Sequence, residues 1–161
     1  MHDGNLYEEK IFLRVTTITL VSFTVVMLLL LIYLISAESY PILIGTILGA
    51  FILFVVVTLN FNTLAIRITP EFVKVTYGIF GRKSVFEKIE DCYLDNVSNF
   101  GYWGFGIRIA RVSGRWRIVY NIFKCPRVVL SLKKGRIREV VFSTKNPEEV
   151  MRRIKNFQPG G

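Results

Sequence analysis

The chain has 161 residues, of which 52% are hydrophobic, and a formal net charge of +9. It contains two cysteines and one histidine, at position 2, which argues against a disulfide framework, most metal sites and histidine-based acid–base catalysis. Of the 21 Lys and Arg residues 19 follow residue 61, as do eight of the 12 acidic residues, so the positive charge is concentrated in the C-terminal part.

Two long apolar runs, Ile11–Ser36 and Pro41–Phe61, follow a polar segment, Met1–Lys10, that we expect to be a cytoplasmic tail. Each run reaches the roughly 20 residues that a helix needs to cross a hydrocarbon core. The sequence therefore predicts a two-helix transmembrane hairpin over residues 11–61. A cleaved signal peptide is the weaker alternative for the first run, because the run is longer than the usual apolar region of about 7–15 residues and no small-residue cleavage site follows it.

The charges around the hairpin predict its orientation. The connector Ala37–Tyr40 has one Glu and no Lys or Arg, whereas Lys10 and Arg14 precede the hairpin and Arg67 and Lys74 follow it. The positive-inside rule then predicts an integral protein of the cell membrane with two spans and both termini in the cytoplasm.

Gly45 and Gly49 form a small-xxx-small pair in the second run, a pattern that lets another helix approach closely. One interpretation is a homodimer contact between second helices. The other is packing against the first helix of the same chain, which the short connector favours.

From residue 62 onward the pattern changes to an alternation of apolar and polar residues, which is typical of half-buried strands. Ser113-Gly114 and Lys134-Gly135 are typical of tight hairpin turns. Asn146, Pro147 and two glutamates indicate the start of a C-terminal helix, and residues 158–161 form a tail. Eight strands are predicted: Leu64–Thr69, Phe72–Tyr77, Arg82–Glu87, Glu90–Asn96, Phe105–Arg111, Arg115–Tyr120, Arg127–Leu132 and Arg138–Ser143.

Several short segments follow one another in a characteristic order over Asn62–Phe157: Leu64–Glu71, Tyr77–Lys83, Ile89–Asp91, Gly101–Arg108, a strand–turn–strand segment that ends at Phe142, and the helix entry Thr144–Glu149. This order resembles the bacterial and archaeal pleckstrin-homology-like (PH-like) family, in which two membrane helices precede a β-domain. The resemblance implies a mainly antiparallel bent sheet or barrel of seven strands, capped by a C-terminal helix. Since eight strands are predicted, one of them, such as Arg115–Tyr120, would be an elaboration or a broken strand.

Basic residues on two predicted hairpins, and two aromatic residues in the loop Phe100–Phe105, are candidate contacts to a membrane surface or partner. Arg115 and Arg117 are expected to project from one face of a strand, where they would attract anionic headgroups by about 1 kcal/mol per residue. The alternatives are an ordinary solvated strand face and, for the aromatic loop, a bulge that fills the mouth of the barrel. The candidates are Arg108, Arg111, Arg115, Arg117, Lys133, Lys134, Arg136, Tyr102 and Trp103, with Arg138 beside them.

No convergent nucleophile, base and charge stabiliser is visible, so we expect no enzyme, no cofactor and no metal. Glu90, Asp91 and Asp95 are interpreted as a solvated face, and the glycines of residues 101–106 do not open a helix after a strand, as a dinucleotide site would require. Nucleic acid is not expected, because no RNA-binding motif is present.

Two functions are therefore predicted. The first is a membrane-anchored adaptor that binds a protein partner or itself at the cytoplasmic face. The second is a sensor of anionic lipid surfaces that uses the Arg/Lys hairpins. The short acidic turn Thr69–Phe72 argues against a phosphoinositide-like pocket.

Overall fold

A computed structural model describes residues 6–38, 40–97, 106–122 and 124–158. The chain forms two compact units: one runs from Phe12 to Thr63, and the other contains the chain up to Ile11 and from Leu64 onward. The elements of the described residues are β1 Tyr7–Phe12, α1 Arg14–Ser36, α2 Pro41–Asn60, β2 Thr63–Ile68, β3 Phe72–Tyr77, β4 Phe80–Val85, β5 Ile89–Leu94, β6 Gly106–Val112, β7 Arg115–Asn121, β8 Arg127–Leu132, β9 Glu139–Ser143 and α3 Pro147–Phe157.

The helical unit is the predicted hairpin. Helices α1 and α2 have 23 and 20 residues, and both are long and apolar enough to cross a membrane. Very little of either helix is buried within the protein, so neither is the core helix of a water-soluble fold. The rings of Phe23 and Phe54 stack between them with centroids 6.1 Å apart. At the base of the hairpin, the Leu13 amide donates to the Asn62 carbonyl at 2.9 Å, which closes the two chain ends on each other.

The first of two sheets, sheet A, has the strand order β1-β2-β3-β4. Antiparallel pairing sets Leu64 opposite Tyr77 and Ile66 opposite Val75, and these side chains are buried. This alternation was predicted. Strand β1 was not, because residues 1–10 were expected to be a tail. Its burial alternates, with Glu9 and Ile11 inside, and it is the neighbour of β2 in the sheet although the whole hairpin separates the two strands.

The second sheet, sheet B, has the strand order β5-β8-β9-β7-β6. Its pairs are antiparallel except β7 and β9, which run parallel. All eight strands predicted after residue 62 are present. Arg115–Tyr120 lies in the complete strand β7, bonded on both sides, so it is not a broken strand. Within the described residues the two sheets are separate, and the closed barrel that was one version of the predicted fold is not formed.

Helix α3 closes the β-containing unit, as predicted. Pro147 occupies its first turn with two glutamates, and Val150 and Ile154 are fully buried. The Phe157 ring packs against Phe86, with centroids 5.6 Å apart. Asn146 stands at the N-cap position, but its side chain makes no capping hydrogen bond; its backbone amide donates to the Thr144 hydroxyl instead.

Glu9 of β1 joins the N-terminal strand to the entry of α3. Its carboxylate accepts hydrogen bonds from the Thr144 hydroxyl at 2.5 Å, the Lys145 amide at 2.8 Å and the Tyr7 hydroxyl at 3.0 Å. Burial and the adjacent Glu9 carboxylate raise the pKa of Tyr7, so its phenol remains a donor at neutral pH. Strand β1 is therefore an integral part of the β-containing unit rather than a free tail.

Candidate functional site

Arg115 and Arg117, which were predicted to act together, have very different exposure in the structure. Both belong to β7, and the side chain of Arg115 is 56% exposed whereas that of Arg117 is 6% exposed. Arg117 is set opposite Glu139 of β9 in the parallel register, and its guanidinium pairs with the Glu139 carboxylate at 2.5 Å. The expectation that Arg117 contributes to a cationic surface is wrong, because acidic side chains of neighbouring strands neutralise it inside the fold.

Arg117 belongs to a buried charge cluster on one face of sheet B. Its second partner is Asp95, at 3.5 Å, and Asp95 is also bound by the Arg127 Nε at 2.8 Å. The Asp95 and Glu139 side chains are each 3% exposed. Two guanidinium groups thus face two carboxylates, and the cluster ties together the chain after β5 and strands β7, β8 and β9. Asp95 is therefore not on a solvated face, contrary to the prediction.

Polar neighbours complete the cluster. The Tyr93 hydroxyl donates to Glu139 at 3.1 Å, and Arg127 donates to the buried Asn121 side chain at 3.1 Å. Burial and the nearby Glu139 carboxylate raise the pKa of Tyr93, so it stays a neutral donor. The opposite charges of the cluster are thus paired with one another inside the fold.

A basic groove lies where the hairpins β6–β7 and β8–β9 end. It has a volume of about 540 Å³, and the turns at Gly114 and Gly135, with φ of +80° and +120°, form part of its wall. These positive φ values favour glycine, so the sequence signal for both turns was correct. The groove carries four cationic side chains and one carboxylate around an indole: Arg115, Lys133, Arg136, Arg138, Glu90 and Trp116.

Two of the four cations contact other groups of the β-containing unit. The Arg115 guanidinium lies 3.5 Å from the Ser131 hydroxyl and 3.9 Å from Glu139, at the edge of the buried cluster. The Arg138 guanidinium donates to the Lys133 carbonyl at 2.5 Å. Both guanidinium groups remain part of the groove lining.

The remaining predicted basic residues are distributed around this groove. Arg111 lies over the Trp116 ring, 5.8 Å from its centroid, so it adds a cation behind the indole. Arg108 pairs with Val119, four residues along β7 from Arg115, and is not among the residues that line the groove. Lys134 is exposed in the β8–β9 turn. The structure therefore brings together Arg115, Lys133 and Arg136 of the predicted set and adds Arg138, which lies beside them.

Two other predictions have different outcomes. Tyr102 and Trp103 lie outside the described residues. Gly45 and Gly49 are exposed on α2, and a Cβ added at either would meet nothing within 4 Å. The glycine pair therefore does not pack against α1, which contradicts the interpretation that the short connector favoured. The homodimer interpretation stays a prediction.

The two cysteines are not prepared for nucleophilic chemistry. Burial raises the pKa of the Cys92 thiol to about 12, and it also raises the pKa of Cys125. Among the described residues, no group of three or more His, Cys, Asp or Glu side chains is arranged to hold a metal ion.

Comparison of this chain with protein-family models, with curated proteins and with solved structures gave no match.

Proposed function

We propose that this chain is a membrane-anchored, non-enzymatic PH-like adaptor. Helices α1 and α2 cross the bilayer, both termini are cytoplasmic, and the β-domain binds an acidic surface of a protein partner through the basic groove. The observation that carries the proposal is the convergence of Arg115, Lys133, Arg136 and Arg138 around Trp116, with Glu90 as the single carboxylate of the lining.

The same-side arrangement of the termini is supported by sheet A. Strands β1 and β2 precede and follow the hairpin and are neighbours in one sheet. For β1 and β2 to be neighbours, both must lie on the same side of the membrane. Two spans return the chain to the side on which it started and so meet this requirement. The lack of Lys and Arg in the connector supports the cytoplasmic side for the sheet.

The chemistry of the groove suits carboxylates on a protein. Three of its four cations are arginines, whose planar guanidinium groups bind carboxylates with two parallel hydrogen bonds. Arg and Trp are also the residues that contribute most to binding at protein interfaces. Trp116 supplies an apolar contact of a kind that a purely electrostatic attraction would not need.

The second candidate function is a sensor of anionic lipid surfaces through the same groove. It is favoured by the excess of positive charge there, because each basic residue near an anionic membrane contributes about 1 kcal/mol of attraction. In this version the headgroups of the membrane itself replace the protein partner.

A photo-crosslinking experiment on the full-length protein in its native membranes separates the two functions. The exposed groove residue Arg136 is replaced by p-benzoylphenylalanine, and Glu71 in the β2–β3 turn is the matched control position. We expect a discrete protein adduct from position 136 and none from position 71. An adduct with lipid alone would support the sensor instead.

The dependence of this adduct on charge tests the groove itself. We expect the paired substitution Lys133→Gln and Arg138→Gln to abolish the adduct. Lys145→Gln with Lys155→Gln removes the same number of charges from exposed residues outside the groove and should leave the adduct intact. An adduct that persists without the groove charges would contradict both functions.

A further inference from the structure

The β3–β4 turn presents large apolar side chains to solvent. Ile79 is 74% exposed and Phe80 is 52% exposed. Gly78, with φ of 60°, makes the tight turn that precedes them. Hairpin turns are normally built from polar residues together with Gly and Pro, so an isoleucine and a phenylalanine at this position need an explanation other than turn formation.

Strand register fixes which end of sheet A carries this turn. Tyr77 pairs with Leu64, so the turn lies level with Thr63, the first residue of β2. The opposite end of the same sheet carries the β2–β3 turn, whose tip consists of Pro70, a typical turn residue, and the charged Glu71. Sheet A therefore has one apolar end and one polar end, and its apolar end is the one where β2 begins.

Chain connectivity keeps the apolar end close to the end of α2. Thr63 follows Asn60, the last residue of α2, by three residues, and an extended chain covers at most about 3.5 Å per residue. Neighbouring strands are about 5 Å apart. Ile79 must therefore lie within about 20 Å of the end of α2, whatever the orientation of the β-containing unit.

We propose that the β3–β4 turn docks into the interface of the bilayer that α1 and α2 cross. Ile79 and Phe80 enter the boundary between headgroups and acyl chains. The proposal rests on the proposed function in one respect, that the helices span the membrane. It is independent of the basic groove, whose ligand it does not determine.

The lipid interface is favoured over a protein partner because it is always within reach. Attachment through β2 gives the turn a high effective concentration at the membrane surface, so that a weak apolar contact is enough to populate the docked state. Apolar groups of interfacial segments enter the headgroup boundary by about 5–10 Å, a depth that two side chains at the tip of a hairpin can reach.

Depth-dependent fluorescence quenching of the full-length protein in vesicles tests this inference. Cys125 is changed to Ser, and single cysteines are introduced at Ile79, at Glu71 and at Leu48 in the middle of α2. Cys92 can be kept, because burial raises its pKa to about 12 and leaves the thiol unreactive at neutral pH. Each variant carries an environment-sensitive fluorophore and is reconstituted with phosphatidylcholine and phosphatidylglycerol that include lipids bearing quenchers at shallow or deep positions.

We expect shallow quenchers to reduce the fluorescence at position 79 severalfold more than at position 71. Position 48 should respond to deep quenchers. If position 48 responds but position 79 is quenched no more than position 71, the docking proposal is overturned and the membrane anchor stands. If position 48 is not quenched, the helices do not span the vesicle bilayer, and the proposed function fails together with the inference. Because Ile79 and Glu71 are exposed, neither cysteine leaves a cavity in the fold.

Discussion

The buried cluster of sheet B predicts that two arginines of one strand contribute very differently to stability. The Arg117 side chain is 6% exposed and pairs with two carboxylates that are themselves buried. Replacing it by Met keeps most of the volume and removes the charge. Asp95 then has Arg127 as its remaining ion-pair partner within the described contacts, and Glu139 has the Tyr93 hydroxyl and the more distant Arg115.

Breaking a buried ion pair by removing one partner costs about 3–5 kcal/mol, because the other charge stays in the interior. Arg115 is largely exposed, and its nearest carboxylate oxygen is 3.9 Å away. Exposed pairs of this kind are worth about 0–1 kcal/mol. We therefore expect Arg117→Met to destabilise the β-containing unit by several kcal/mol and Arg115→Met to have almost no effect.

Thermal unfolding of the full-length protein in detergent, followed by circular dichroism of the strands, measures the difference. One kcal/mol shifts the midpoint by about 4–8 °C for a domain of this size, so Arg117→Met should lower Tm by at least about 12 °C. The double variant Arg117→Met with Glu139→Gln should recover part of that loss, because it also removes a buried charge left without its partner. Equal Tm values for Arg117→Met and Arg115→Met would mean that the buried ion pairs of Arg117 do not stabilise the fold.

Three further predictions concern β1, the core and α2. Glu9→Ala should lower the free energy of unfolding by about 1–3 kcal/mol and speed hydrogen exchange at the start of α3, because it removes the acceptor of three hydrogen bonds. The control Glu8→Ala, at an exposed residue, should change neither quantity. Equal exchange rates in the two variants would contradict this prediction. Burial raises the pKa of Tyr77 from 10.0 to about 12, so the stability that the neutral phenol contributes is complete below pH 10 and is lost as the pH rises toward 12. Tyr77→Phe should therefore reduce the loss of stability at alkaline pH, measured by unfolding curves at several pH values. The same pH dependence in the variant and the unmodified protein would contradict this prediction. If α2 forms the homodimer contact, Gly49→Leu should reduce fluorescence energy transfer between labelled copies of the protein in vesicles. The control Leu43→Phe, which adds volume elsewhere on α2, should leave the energy transfer unchanged. The absence of energy transfer in the unmodified protein would contradict the homodimer prediction.

The elements governed by local patterns could be predicted from the sequence. The two apolar runs gave α1 and α2, and the alternation after residue 62 gave eight strands within a few residues of their observed limits. The helix signal at Pro147 was also correct. Each of these signals depends on neighbours in the chain, so no knowledge of tertiary contacts was needed.

Strand β1 was missed because its partner is distant in the chain. Tyr7, Glu9 and Ile11 alternate as strand residues do, but the segment is only six residues long and directly precedes an apolar run. Its place in sheet A depends on β2, which follows the entire hairpin. Glu9 also obscured the apolar–polar alternation, because a charged residue at a buried strand position is unusual. Its carboxylate is accommodated there by hydrogen bonds from Thr144 and Lys145, which are far away in the sequence.

The burial of Arg117 could not be predicted either, because its partners are also distant in the sequence. Alternation correctly predicted that Arg115 and Arg117 share a face of β7, but burial of that face depends on the strands around it. Asp95 and Glu139 come from other parts of the chain, and only the strand order of sheet B brings them to Arg117. The groove lies at the ends of two hairpins, so Arg115, Lys133 and Arg136 could be predicted as a group from their positions beside the turns.

Side-specific labelling shows whether the hairpin holds the β-domain at the cytoplasmic face of a membrane. Single cysteines at Tyr40 in the connector and at Glu71 in the β-domain, both in the Cys125→Ser background, are exposed to a membrane-impermeant maleimide in intact cells. We expect labelling at position 40 in intact cells and at position 71 only after permeabilisation. Labelling of both positions from the same side would contradict it.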